Sequence, residues 1–251
     1  MPVALVEGPS VLWRVGRQPD VFAWRLPKDR ELLASDERPR LEGNRWDDPD
    51  GETATLYCAS TPLAAFLEVL AQLRSGGEGI VAEILQATGE DSPDPRLDPA
   101  LRAGVLPQEF LADRCLASAN AAQGPLFIDM ASPQIHNLLG ERLPHLLRYL
   151  GAHQFDRGVV MSQDRRVTRQ IAGFLREYTD SDLHEEGPIA GLRYESRIAA
   201  EQTCWAIWQD RLQLSDEQAR SISSEDPDLL KAAELLDIKI TAAKTLSSPG
   251  E

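Results

Sequence analysis

The stretch that decides the fold is Gly43-Asn44-Arg45-Trp46-Asp47, followed by Leu56-Tyr57-Cys58-Ala59-Ser60-Thr61-Pro62 and then by Glu68. The first part predicts a glycine turn that carries an arginine beside a tryptophan. Thr53 to Ala59 is typical of a strand. Ser60-Thr61-Pro62 predicts the start of a helix, because Ser or Thr caps free amides and Pro suits the first helical position. The sequence therefore predicts a turn, a strand and a helix in succession, with Arg, Tyr and Glu side chains along them.

Outward from this stretch, Val11-Leu12-Trp13-Arg14-Val15 is a second run typical of a strand, and it places a cation among apolar residues. Further patterns predict helices over 108–121, 133–150 (with a break near Pro144) and 167–178, and strands over 126–129, 191–194 and 204–208. In the tail, Ser215-Asp216-Glu217-Gln218 resembles a helix capping box, and Asp226-Pro227 opens a predicted helix through Leu236. The mixture of helices and strands predicts an α+β fold.

Composition limits the function classes. The net charge of -14 over 251 residues repels polyanions, and the short basic cluster of Arg165, Arg166 and Arg169 is expected on a solvated helix face. We therefore expect no nucleic-acid partner. Three widely spaced cysteines without a CxxC pair are typical of reduced thiols. The sequence shows neither an apolar run of membrane-spanning length nor a secretory signal, so we expect a cytoplasmic protein without membrane contact.

Two arginines are candidates for holding an anion. Arg14 lies in an apolar strand, where an unpaired cation is costly, so it requires either an internal Asp or Glu or a ligand phosphate. Arg45 is either a surface arginine stacked on Trp46 or a ligand for pyrophosphate, with the tryptophan packed beneath it. The residues alone leave both alternatives open.

Three further candidates also have ordinary structural explanations. Glu68 falls at the border of the apolar helix stripe, beside Ala64 and Ala71. It either points to solvent or, if partly buried, binds ribose hydroxyls and stabilises a positively charged sugar. Tyr57 is either a core aromatic or a site residue, and Ser196 is either a turn or cap serine or a site residue.

Other chemical signatures are missing from the sequence. There is no GxGxxG or GxxxxGK[ST] phosphate loop and no GxSxG elbow. The four histidines lack the HExxH spacing of a zinc site, which favours a protein that works without metal. A Ser or Cys hydrolase triad stays open, although no pattern supports it.

In their order and context, these pieces resemble the RES domain family, which is named for its Arg, Glu and Ser. The resemblance covers roughly residues 11–210. The matching stretches are Leu12 to Val15, Gly43 to Trp46, Thr55 to Ala59, Ala64 to Glu68 and Gly191 to Arg197. Two positions depart from the family: Asp47 stands where Asn is common, and Glu195 stands where Pro is common.

The resemblance implies a compact RES domain over 11–210, with an α+β fold similar to that of ADP-ribosyltransferase toxins that bind NAD. It does not imply a Rossmann fold. The long spacing from Glu68 to Ser196 implies a helical insertion near residues 88–150. Residues 211–251 have no counterpart in the family, and we expect them to be a C-terminal extension packed on the domain.

The resemblance also implies that NAD is a substrate, cleaved at the nicotinamide–ribose bond, with no cofactor and no metal. Arg14 and Glu68 would be catalytic. Arg14 and Arg45 would take the pyrophosphate or an incoming phosphate, and Glu68 would hold the ribose hydroxyls and stabilise the oxocarbenium ion. Tyr57 would pack on or hydrogen-bond the nicotinamide ribose. Ser196 would support the site through a hydrogen bond to the ligand or to an arginine.

An NAD glycohydrolase or NAD phosphorylase, with water or phosphate as the acceptor, is therefore the first expectation. Many RES proteins are toxins silenced by a cognate antitoxin with a helix-turn-helix portion, so the resemblance implies such a partner. The alternatives are an ADP-ribosyltransferase that modifies a protein target, and a non-enzymatic nucleotide-binding or antitoxin-partner module. The sequence does not decide between hydrolysis, phosphorolysis and transfer, and it does not give the oligomeric state.

Overall fold

The fold is seen in a computed structural model that describes residues 3–26, 44–73, 104–181, 188–209 and 211–241. Some of the expectations concern other parts of the chain and lie outside these residues. They are the glycine of the turn (Gly43), the first part of the expected insertion (88–103) and the end of the expected extension (242–251).

The centre of the fold is an eight-stranded sheet. Its strands are β1 (Leu5–Glu7), β2 (Val11–Arg17), β3 (Thr55–Ala59), β5 (Arg114–Ala121), β6 (Leu126–Asp129), β7 (Ile189–Glu195), β8 (Thr203–Trp208) and β9 (Leu214–Ser221). Two short strands, β4 (Val105–Leu106) and β10 (Lys239–Ile240), form a separate parallel pair. The strand order is β1-β6-β7-β8-β3-β2-β5-β9. All neighbours in this sheet are antiparallel except β6 and β7.

Helices lie between these strands along the chain. Those in the described ranges are α1 (Pro62–Leu70, continued by a 3-10 turn over Ala71–Leu73), α2 (Gln108–Ala112), α3 (Pro133–Arg142), α4 (Pro144–Leu150), α5 (Arg157–Val160), α6 (Arg165–Ser181) and α7 (Pro227–Leu235). The predicted break near Pro144 is confirmed, since that proline begins α4. The mixture of helices with a largely antiparallel sheet confirms the α+β class.

The helix predicted over 108–121 is wrong in its second half. Helix α2 ends at Ala112, and the next residues form β5 between β2 and β9. An alanine- and leucine-containing segment has helical propensity, but here tertiary pairing overrides it. Small buried residues such as Ala117 and Ala119 let this strand pack between its two neighbours.

The capping box expected at residues 215–218 is also wrong, because these residues belong to β9. Asp216 has a φ of 48°, next to a register shift between β5 and β9. Asp tolerates the left-handed conformation and is common in turns and bulges, so its presence does not by itself indicate a helix start.

The expected insertion and extension both contribute to the sheet. The described part of the insertion, 104–150, contains α2, α3 and α4 and also strands β5 and β6. Strand β9 extends the same sheet beyond residue 210, and α7 packs against α1. The boundary expected at residue 210 therefore falls between two strands of one sheet.

The unit from β3 to α1 fixes the direction of the first helix. The hydroxyl oxygen of Thr61 accepts a hydrogen bond from the amide of Ala64 at 3.1 Å, and Pro62 occupies the first helical position, as the sequence predicts. One face of α1 is buried through Ala64, Ala65, Phe66, Leu67 and Leu70. Glu68 consequently lies on the exposed face of the same helix.

Three buried clusters form the core. Residues of β7 and β8 pack with α3, α4 and α6, residues of β2 and β5 pack with α1 and α7, and a third cluster is built largely from strand residues. Strand alternation separates them: Leu56 and Cys58 belong to the third cluster, whereas Tyr57 and Ala59 contact the clusters that contain helices. Two helical layers therefore pack beside each other along one face of the sheet.

Candidate functional site

A cleft of about 500 Å³ opens where β2, β3 and α1 meet. Arg14, Arg45, Tyr57 and Glu68 all line this cleft, although they come from two strands, a turn and a helix. The fifth predicted residue, Ser196, lies behind Glu68 and donates a hydrogen bond to it. The structure therefore brings together the five residues that the sequence selects.

The cleft lies at a seam in the sheet. Strand β2 pairs with β5 along its whole length, but a single pair, Trp13 with Ala59, joins it to β3. Where the two strands diverge, Nη1 of Arg14 donates a hydrogen bond to the carbonyl of Tyr57 at 3.2 Å. A side chain thus takes the place of a backbone partner, and the guanidinium of Arg14 lies inside the seam.

Arg14 has no carboxylate partner within the described ranges. Burial lowers the pKa of its guanidinium, the charge of Arg25 acts in the same direction, and the Cys58 and Tyr57 side chains oppose them. The internal salt bridge that the sequence left open is replaced by the Tyr57 carbonyl. A guanidinium carries more N–H donors than this one bond uses, so Arg14 can still bind an anion in the cleft.

The turn at Asn44–Asp47 is tied to β3 through the Tyr57 hydroxyl. That hydroxyl donates to Oδ1 of Asp47 at 2.8 Å and accepts from the amide of Trp46, also at 2.8 Å. The other carboxylate oxygen of Asp47, which is only 3% exposed, accepts from the amide of Asn44 at 2.5 Å. Burial and the adjacent Asp47 raise the pKa of Tyr57 well above its usual range, so its hydroxyl stays protonated.

Arg45 projects from this turn between two aromatic rings. Its guanidinium carbon lies 5.5 Å from the ring centre of Trp46 and 5.4 Å from that of Tyr194. Its Nη1 donates to the sulfur of Met161 at 3.3 Å. Aromatic faces and a thioether hold the cation without forming an ion pair with it, so the Arg45 guanidinium can still pair with an anion in the cleft.

Glu68 is held in place by Ser196. The hydroxyl of Ser196 donates to Oε1 of Glu68 at 2.6 Å and accepts from the amide of Ile198 at 3.1 Å. Ser196 is only 1% exposed, whereas Glu68 is exposed to the cleft, with Ala65 and Ala71 beside it in the lining. The serine therefore contacts the carboxylate rather than an arginine, and small neighbours leave room around Glu68.

Two cysteines near the site are neutral thiols. Burial raises the pKa of Cys58 to about 12, although the positive charge of Arg14 opposes this shift. Burial, followed by the charge of Glu68, also raises the pKa of Cys204 above its usual range. A thiol must ionise to act as a nucleophile, so neither cysteine is suited to that role at neutral pH.

The charge of the cleft is opposite to that of the whole chain. Among the described residues, four arginines line it, namely Arg14, Arg45, Arg165 and Arg197, against a single carboxylate, Glu68. The chain as a whole carries a net charge of -14. A local excess of guanidinium groups in an acidic protein indicates a site for an anionic ligand.

Comparison with known proteins identifies the family of this chain. The model of the RES domain family matches residues 12–226. The chain belongs to the RES domain family. A comparison with curated proteins gave no match. Among solved structures, the chain is similar to the crystal structure of the M. tuberculosis MbcT–MbcA toxin–antitoxin complex, with 14% identity, a TM-score of 0.41, and coverage of 93% of this chain and 91% of that chain.

Sequence reasoning missed several residues of this RES domain cleft. Tyr194 stacks on the Arg45 side chain, and Asp47 fixes Tyr57. Tyr194 stands in a stretch that matches the family and Asp47 directly follows another, so their nearness in the chain to Ser196 and Arg45 was the available signal. Arg197 also lines the cleft, directly after Ser196 in the chain.

The three arginines expected on a solvated helix face, Arg165, Arg166 and Arg169, have three different environments. Arg166 is exposed and pairs with Asp164 at 2.8 Å, as expected. Arg165, however, lines the cleft, and Arg169 is only 6% exposed. The expectation is therefore wrong for Arg169, because its side chain turns inward to meet the backbone of residues 48 and 49.

Two negative findings apply to the described ranges of the RES domain alone. They contain no group of three or more His, Cys, Asp or Glu side chains arranged to hold a metal ion. None of their helices combines the length and apolar character that crossing a membrane requires.

Proposed function

We propose that this RES domain degrades NAD by cleaving the nicotinamide–ribose bond, with water or phosphate as the acceptor. The observation that carries the proposal is the cleft itself, where Arg14, bonded to a backbone carbonyl, and Arg45, bonded to a thioether, line the same space as Glu68, whose carboxylate is held by a buried serine. Membership of the RES family supports the same choice of substrate. NAD provides the matching chemistry, since its pyrophosphate is anionic and its nicotinamide ribose becomes cationic as the bond breaks.

In this proposal, Arg14 and Arg45 bind the pyrophosphate, which guanidinium groups match in bidentate fashion. Glu68 accepts hydrogen bonds from the ribose hydroxyls and stabilises the oxocarbenium-like transition state. The C1′–N bond breaks with its electron pair passing to nicotinamide, which leaves as a neutral molecule. Water or phosphate then bonds to C1′, and an attacking water loses a proton.

Tyr57 and Ser196 have supporting roles in the proposal. The Tyr57 hydroxyl already bonds with Asp47 and with the amide of Trp46, so its ring packs against the ligand while the hydroxyl holds the turn. Ser196 orients Glu68 and keeps one carboxylate oxygen hydrogen-bonded before substrate binds. The arginines serve a phosphate acceptor as well as a pyrophosphate, so both acceptors stay within the proposal.

The test is nicotinamide release from NAD by purified protein, with and without phosphate, and with the products identified by mass. Glu68→Gln should lower the rate by about 100- to 1000-fold, because a neutral amide no longer stabilises the developing positive charge. Glu234→Gln, at an exposed glutamate of α7, is the matched control and should keep wild-type activity. Wild-type protein that binds NAD but releases no nicotinamide at any phosphate concentration would refute the proposal.

A labelling experiment separates this function from the alternative, the transfer of ADP-ribose to a protein. Labelled NAD would then mark a protein in cell lysate while bulk NAD turnover stayed slow. The toxin role and the antitoxin partner stay predictions. Growth arrest on expression that is abolished by Glu68→Gln would support the toxin role.

A further inference from the structure

One face of α6 contacts the segment that carries Arg45. Nη2 of Arg169 donates to the carbonyl of Asp48 at 2.7 Å and to that of Pro49 at 3.3 Å. One turn later along the helix, a Cβ atom placed on Gly173 would lie 2.8 Å from Cγ of Pro49. Three residues further, Nη1 of Arg176 donates to the hydroxyl of Thr53 at 2.5 Å. The spacing of these residues places them on the same side of the helix.

The segment that this face holds is internally rigid. Oδ2 of Asp48 accepts hydrogen bonds from the amides of Glu52 and Thr53, each at 2.9 Å, and Oδ1 accepts from the amide of Asp50 at 3.1 Å. The adjoining residue, Asp47, fixes the Asn44 amide and the Tyr57 hydroxyl. A displacement at residues 48–53 is therefore passed on to Arg45.

Helix α6 is a firm support for such a segment. It runs for 17 residues, and its inner side buries Val167, Ile171 and Leu175 completely. Glycine within a helix costs about 1 kcal/mol relative to alanine, so Gly173 calls for a compensating reason. The close contact with the ring of Pro49 explains the glycine, because only a residue without a Cβ lets the turn approach the helix this closely.

We infer that Arg169 and Gly173 are positioning residues for Arg45. They act through the backbone of residues 48 and 49 and touch no ligand. Arg169 ties this backbone to the helix through two carbonyls, and Gly173 sets how near it lies. The inference rests on the proposed function for its kinetic readout alone, since the position of the turn is measurable without any ligand.

The first test variant is Gly173→Ala. Its Cβ would push Pro49, a rigid ring, away from the helix and move Arg45 with it. We expect faster amide hydrogen exchange across residues 44–53 and a KM for NAD raised about tenfold, with a smaller change in kcat, because the damaged contact binds the ligand. Gly140→Ala in α3 is the matched control, since its nearest atom, in Phe155, is 4.0 Å away. That variant should behave as wild type in both measurements.

A second substitution provides a rescue. Pro49→Ala removes the Cγ and Cδ atoms that a Cβ at position 173 would meet, so Gly173→Ala/Pro49→Ala should recover the lower KM and the slower exchange. If Gly173→Ala does not fold, Arg169→Lys gives the same test, because lysine keeps the charge but cannot reach both carbonyls in one geometry.

The outcomes separate the inference from the proposed function. Wild-type exchange and KM in Gly173→Ala, or failure of the rescue, would overturn the inference. Lower thermal stability without faster exchange at 44–53 would also overturn it, because that result marks a merely structural glycine. If wild-type protein does not cleave NAD, the proposed function fails, and the exchange data still decide on the positioning role.

Discussion

Two pairs of arginines lie near the turn at residues 44–54, and the chain uses them differently. On the α6 side, Arg169 and Arg176 give their donors to the carbonyls of Asp48 and Pro49 and to the Thr53 hydroxyl. On the cleft side, Arg14 meets one carbonyl, and the contacts of Arg45 are two aromatic rings and a thioether. The first pair links α6 to the turn within the protein, whereas the second keeps donors directed to the cleft.

The difference teaches how to tell a structural arginine from a binding one. Burial alone does not separate them, since Arg169 is more buried than Arg14. The distinction lies in what the guanidinium bonds with. An arginine whose donors meet buried carbonyls contributes to stability, because those carbonyls would be costly to leave without a partner. An arginine that keeps donors for a cleft costs stability and serves a ligand.

The largest effect is expected on the cleft side, in Arg14→Met. Methionine has a similar length and no charge, so NAD affinity should fall at least about 30-fold, which corresponds to about 2 kcal/mol for a lost charge-assisted contact. The Tm should fall less than in Arg169→Met, because removal of a partly desolvated cation offsets the loss of one donor to the Tyr57 carbonyl. Calorimetric titration and thermal melting measure the two quantities. A lower Tm with unchanged affinity would place Arg14 with the structural arginines.

Arg169→Met should show the opposite pattern. It leaves the carbonyls of Asp48 and Pro49 without their donor, at a cost of about 1–3 kcal/mol for an unsatisfied buried group. The Tm should fall by about 2–4 °C for each kcal/mol, while the loss of NAD affinity should be smaller than in Arg14→Met. Arg148→Met, at an exposed arginine of α4, is the control and should leave the Tm unchanged. Equal Tm values for Arg169→Met and Arg148→Met would contradict the distinction.

The smallest effect concerns the pH dependence of the turn. Burial raises the pKa of Asp48, but hydrogen bonds from Asp50, Glu52 and Thr53 outweigh it and lower the pKa below its ordinary 3.8. A lowered pKa in the folded state means stability that is present above pH 3.8 and is lost as the pH falls through the folded value. Asp48→Asn should therefore lower the free energy of unfolding at pH 7, by less than about 1 kcal/mol because solvent screens the partly exposed carboxylate.

The measurement is denaturant unfolding of wild type and Asp48→Asn between pH 3 and pH 7. The difference between the two proteins should shrink below about pH 4, as protonation removes the charge that Asp48→Asn has already removed. A difference that stays constant with pH would show that the charge of Asp48 does not stabilise the turn.

The sequence predicts local elements of the site better than the contacts between them. The cap at Thr61 and the proline after it define α1, so the place of Glu68 on its exposed face follows from nearby residues. The pairing of Arg14 with the Tyr57 carbonyl does not, because it depends on two strands diverging far apart in the chain. For the same reason, the bond from Ser196 to Glu68 spans 128 positions and carries no local signal.

The two wrong elements have a related cause. Strands β5 and β9 lie next to each other at one end of the sheet, and neither contains the β-branched or aromatic residues typical of a strand. Strand β5 buries one face through the small residues Cys115, Ala117, Ala119 and Ala121, while β9 is exposed along most of its length. Each segment is a strand because it pairs with its neighbours, β5 with β2 and β9, and β9 with β5. The sequence pattern within either segment alone therefore favours another structure.

The single residue pair that joins β2 to β3 has a geometric consequence for the whole sheet. Neighbouring strands rotate by about 20–25° relative to each other, and wide open sheets curl or split as this twist accumulates. Here the rotation is divided between a block of five strands, β1-β6-β7-β8-β3, and a block of three, β2-β5-β9. Each block can twist separately, because only the Trp13–Ala59 pair joins them. The place where the sheet releases its twist is therefore the place where Arg14, bonded to a backbone carbonyl of β3, faces the cleft.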